Sequence, residues 1–127
     1  MLLLDFEVCY YGHPGFDVAT LINHLLLKSF HHGGNWRATM IAIDAFWQTY
    51  LHTADQVLGA WAERSAGHIL GALLLARVDG KSPAEYITDE ALKERIRTLG
   101  RAILLDPAAV GLESALDKAA EALQATT

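Results

Sequence analysis

Two carboxylates stand first among the residues able to do chemistry. Asp5 and Glu7 are two positions apart at the end of an apolar run that begins at Met1. In a strand, residues i and i+2 share a face and lie about 6–7 Å apart along the chain. Carboxylates so placed repel each other unless a cation or a basic side chain comes between them. Mg²⁺ suits the pair, because it takes oxygens from one or two carboxylates and completes its octahedron with water and phosphate. The spacing alone also fits a polar strand end, with Asp5 capping a turn and Glu7 in solvent.

Other combinations carry less. Gly80-Lys81-Ser82 copies the end of a phosphate loop, but the glycine required five residues earlier is Leu75 and the preceding segment reads as helix. His24, His31 and His32 have imidazoles for a transition metal, yet no cysteine or carboxylate stands at ligand spacing, so solvent-facing histidines are expected. Cys9, His13 and Asp17 include the residue types of a thiol triad with nothing local to align them. A small buried thiol is the expectation for Cys9. Trp36, Trp47 and Trp61 read as core packing, although aromatic walls also line binding pockets.

The elements that must position these residues are mostly helices. The apolar run from Met1 reads as a short buried strand reaching Asp5 or Val8, followed by a loop over Tyr11–Gly15. A helix is expected from Asp17, with Val18, Leu21, Ile22, Leu25 and Leu26 on its apolar face, until Gly33-Gly34. A second helix spans Trp36 to Leu51 with Trp36, Met40, Ile43, Trp47 and Tyr50 on one stripe. Thr53 and Gln56 fit a capping box for a third helix, which either continues to Val78 or breaks near Ser65–Gly67. Gly67 and Gly71 leave a smooth face for a close neighbour. Ser82-Pro83-Ala84-Glu85 has the pattern of a further helix start, and Thr88 of another. Leu92, Ile96, Leu99 and Ile103 form the next buried stripe, with Lys93, Glu94, Arg95 and Arg97 facing water, and Asp106-Pro107 ends it. A last helix uses Leu112, Leu116, Ala119 and Leu123. The fold class is mainly α, one domain over 1–127, with a short N-terminal strand or hairpin.

Asp5-Phe6-Glu7 together with Gly15-Phe16-Asp17 resembles the metal-binding segment of the aminoglycoside phosphotransferase and choline kinase superfamily, in particular its choline kinase and methylthioribose kinase branches. The run Ala76-Arg77-Val78-Asp79-Gly80-Lys81-Ser82-Pro83 with Glu85-Tyr86 resembles the C-terminal helical part of bacterial members. The resemblance implies a kinase-like fold of which these residues form the C-terminal helical subdomain. It implies Asp5 as a ligand of Mg²⁺ bridging ATP phosphates, Glu7 as a second ligand, and Asp17 as a support for the catalytic-loop backbone. Many relatives read Gly-Asp-Pro where this chain has Gly12-His13-Pro14, so an acidic contact is replaced.

In such kinases the segment lies well past the middle, and the 127 residues contain no His-x-Asp with an Asn five residues on, no glycine-rich nucleotide loop and no strand lysine. The expectation is a phosphotransferase fragment, inactive alone for lack of a base and a phosphate clamp. The alternative is a stand-alone helical binding or self-association module. Its partner is then a second copy, where a fragment's would be the missing kinase portion.

Composition agrees with a folded protein of neither extreme. Hydrophobic residues make up 52% and charged residues 20%, which suits an ordered domain. A net charge of −5 argues against a nucleic-acid surface or an anionic membrane as partner. The single cysteine rules out an internal disulfide framework and fits a reducing cytoplasm.

Overall fold

The computed structural model describes residues 2, 4, 5, 7 and 9–125. Its elements run α1 (Pro14–His32), α2 (Trp36–Thr53), α3 (Gln56–Glu63), α4 (Ala66–Asp79), α5 (Glu90–Leu105), a 3-10 turn (Pro107–Val110) and α6 (Leu112–Gln124). The mainly α class is therefore observed, and no strand occurs among the described residues. The expected N-terminal strand is corrected where it can be seen. Asp5 lies in a bend with φ 58° and Glu7 in a short 3-10 turn, while the rest of that span falls outside the described residues. An extended segment needs a neighbour for its N–H and C=O groups, and no other described segment is a strand.

Helix α4 is the centre. Its sequence AGHILGALLLARVD is apolar on nearly every side, as suits a helix enclosed by others. It packs against α1, α3, α5, α6 and the 3-10 turn. Ile22, Leu26 and Leu27 of α1, Leu70 and Leu74 of α4, and Ile96 and Ile103 of α5 are wholly enclosed in one core. Glycines bring the backbones together here. A Cβ on Gly71 would stand 2.9 Å from the Ile103 side chain and 3.1 Å from the Gly100 carbonyl oxygen, and one on Gly67 would collide with the carbonyls of Ala109 and Gly111. The smooth face expected at Gly67 and Gly71 thus receives the 3-10 turn at one end and α5 at the other.

The ends of the helices follow local chemistry. The α1 helix starts at Pro14, earlier than expected, because His13 acts as its N-cap: the Gly15 N–H donates to the imidazole Nδ1 at 2.9 Å. Proline at the first helical position costs nothing, since that N–H has no partner in the helix. Gly33, with φ 65°, closes α1 and donates its N–H to the Ser29 carbonyl. The long third helix is broken at Arg64 and Ser65, one of the two expected forms, giving α3 and α4. Asp55 caps α3 through the Val57 N–H at 2.8 Å, whereas the Thr53 hydroxyl donates back to the Thr49 carbonyl.

One expected start fails. Ser82–Glu85 opens no helix; residues 85 and 86 form a turn. Two bonds hold this loop to the end of α4: the Ala84 N–H donates to the Arg77 carbonyl at 2.8 Å and Arg77 Nη1 donates to the Ser82 carbonyl at 2.9 Å. Ala84 and Ile87 are buried in the core, so packing overrides the capping pattern. Helix α5 begins instead behind Asp89, whose carboxylate accepts the Leu92 N–H at 3.0 Å.

Candidate metal segment and the aromatic face beside it

Asp5 and Glu7 are both exposed, and among the described residues neither forms an ion pair. Both are hard oxygen donors, the ligand type that Mg²⁺ takes. The strand geometry that would fix both carboxylates on one face is not present at these two residues. Among the described residues no cluster of three or more His, Cys, Asp or Glu is arranged to hold a metal.

The segment reaches the helical body at His13. The imidazole that caps α1 also lies against Trp61 of α3, with ring centroids 4.6 Å apart. Thus His13 joins α3 to the start of α1 and supplies the cap by a ring nitrogen. Cys9, Tyr10, Gly12, His13, Phe16 and Asp17 surround an open cleft of about 280 Å³. Cys9 is exposed, against the expectation of a buried thiol.

Asp17 sits in the first turn of α1, where a negative charge meets the positive helix end. Its charge also reaches Tyr50 of α2. Burial, and after it the Asp17 carboxylate, pushes the Tyr50 phenol above its ordinary range. Tyr50 stacks on Trp47 with centroids 5.8 Å apart and lies near Phe46 at 6.3 Å. The tryptophans divide: Trp36 and Trp47 are buried as expected, but Trp61 is 40% exposed. Together with Tyr10, Tyr11, Phe16, Val57 and Leu58, Trp61 makes the start of α1 and the length of α3 unusually apolar on the outside.

Two features of the surface were not foreseen from spacing. Arg97 does not simply face water: its side chain is 16% exposed and gathers Asp79, Glu90 and Glu94. Arg95 lies over the Phe30 ring, 5.3 Å from its centroid. The His13 cap was missed as well, although the proline after it was a usable signal.

Comparison with protein-family models, with curated proteins and with solved structures gives no match for this chain. Among the described residues no helix is long and apolar enough to cross a membrane.

Proposed function

We propose that these residues are the C-terminal helical portion of a small-molecule phosphotransferase of the aminoglycoside phosphotransferase and choline kinase type, working in the cytoplasm. In the complete enzyme ATP supplies the phosphoryl group and a hydroxyl accepts it. Asp5 holds the Mg²⁺ that neutralises the nucleotide phosphates, with Glu7 as its weaker partner. The helices form the floor on which the acceptor rests. These residues hold no His-x-Asp catalytic loop, so no phosphoryl transfer is expected of them by themselves.

The observation that carries this reading is the apolar surface beside the acidic segment. Tyr10, Tyr11, Phe16, Val57, Leu58 and Trp61 are exposed, and Trp61 lies against His13, where the segment joins the body. An apolar surface of this kind is suited to being covered by other protein, and a nucleotide lobe with its catalytic loop would cover it.

The same surface favours a second reading, a helical module that covers it with a second copy of itself.

Mn²⁺ replaces Mg²⁺ in the test, because it broadens nearby nuclear resonance signals. The expected result is selective broadening of signals from Glu7 to Asp17, abolished in Asp5→Ala, with no ATP turnover. Unchanged broadening in that variant removes the metal role, and turnover of ATP with any alcohol overturns the inactive-fragment assignment. Sedimentation separates the two readings: a dimer dispersed by Trp61→Ser supports the self-association module.

A further inference from the structure

Four basic side chains line the exposed and half-buried faces of α5, and the acidic groups around them are unevenly shared. Arg97 takes Asp79, Glu90 and Glu94; Lys93 approaches Glu90 at 3.9 Å; Arg101 approaches Glu94 at 3.7 Å. Arg95 forms no ion pair among the described residues, and its buried Nη2 has no hydrogen-bond acceptor. Its guanidinium is held over Phe30 at the end of α1.

A second donor lies in the same place. The Tyr86 hydroxyl is also buried without a partner, and its ring packs on His31 with centroids 5.2 Å apart. Phe30, His31, Tyr86, Thr88, Asp89 and Arg95 all line one cleft of about 400 Å³ between the end of α1 and the start of α5. Arg95, permanently cationic, and Tyr86 each bring to this lining a donor without a partner, and the one carboxylate among the lining residues is Asp89. A group with negative charge and more than one oxygen would complement both donors.

We propose that this cleft binds a small oxyanion, a phosphate or a carboxylate group, through Arg95 and Tyr86. The guanidinium fork matches two oxygens of either group, and the tyrosine hydroxyl donates to one of them. Thr88 adds a hydroxyl at the rim, and the start of α5 contributes the positive end of a helix. Asp89 opposes the anion. Part of its charge is engaged by the Leu92 N–H, which its Oδ2 accepts at 3.0 Å. This site lies outside the acidic N-terminal segment and does not depend on the phosphotransferase reading.

Titration with methyl phosphate and with acetate, at ionic strength matched by chloride, tests it by nuclear magnetic resonance. Saturable shifts of the Arg95 Nε–H and of the Thr88 to Ala91 amides are expected, and the tighter of the two probes identifies the preferred group. Arg95→Gln should weaken binding about tenfold or more, the scale of a hydrogen bond to a charged group. Tyr86→Phe, which keeps the ring packing, should weaken it less. Asp89→Asn keeps the helix cap and should tighten it. Absence of saturable shifts with both probes overturns the proposal. Binding unchanged in both Arg95→Gln and Tyr86→Phe overturns it too, and the Tyr86→Phe arm stands even if loss of Arg95 disturbs the fold.

Discussion

Arg97 of α5 donates from Nε and Nη2 to the two carboxylate oxygens of Asp79 at the last turn of α4, each at 2.8 Å. The pair joins the two helices that pack most extensively against each other, just where Gly80 ends α4. Hydrogen bonding from Arg97 holds the Asp79 carboxyl below its ordinary value of 3.8, and the same bonds raise the guanidinium. A carboxyl lowered in the folded state adds stability above its unfolded value and loses it as pH falls through the folded one. Below pH 3.8, then, this contribution fades. Urea midpoints measured from neutral pH to about pH 3 should show a smaller acid loss in Asp79→Asn than in the parent chain.

Asp106 is expected to behave in the same direction. It is lowered first by the hydrogen bond from Lys118 and then by the Ala108 N–H. Lys118→Met removes the larger cause, and a proton titration followed by nuclear magnetic resonance should find the Asp106 carboxyl closer to its ordinary range.

His13→Ala removes the cap of α1 and the ring against Trp61. A lost N-cap costs about 0.5–2 kcal/mol, read from chemical denaturation. His13→Asp keeps a capping oxygen and a charge that suits the helix start, so it should recover most of that loss. Equal destabilisation by both substitutions would show that ring packing, not capping, is what the imidazole contributes.

Gly67→Ala forces its new methyl group against the carbonyls of Ala109 and Gly111, which are backbone and cannot rotate aside. Overpacking of this kind costs about 1–3 kcal/mol. Gly34→Ala meets only the His32 carbonyl at 3.9 Å and should change the unfolding midpoint little.

Leu70→Ala opens a cavity at the centre of the fold, where the side chain has no exposure. The expected loss is about 2–5 kcal/mol in equilibrium unfolding. Leu105→Ala, at 81% exposure, serves as its control and should be close to neutral.

Most helices and their inner faces are legible in the local pattern of residues. Ile43 and Trp47, Ile96 and Ile103, and Ala119 and Leu123 are buried on the stripes their spacing marks. Helical period is a local property, and the side chains on one face are fixed by 3.6 residues per turn before any partner arrives. Tertiary structure decided what local pattern leaves open. The Ser82–Glu85 capping pattern yielded to the bonds from Arg77 and the burial of Ala84 and Ile87, because a core contact outweighs one cap. Asp5 and Glu7 announced a shared face that only a paired strand would give them, and the described structure supplies no such partner. Arg95 and Arg97 look alike in sequence, two polar positions on one helix. Glu90 and Glu94 stand on the same helix as Arg97, but only the placement of Asp79 across from α5 gives it a third carboxylate, and only that of Phe30 and Tyr86 near Arg95 leaves the latter with a buried donor that still lacks an acceptor.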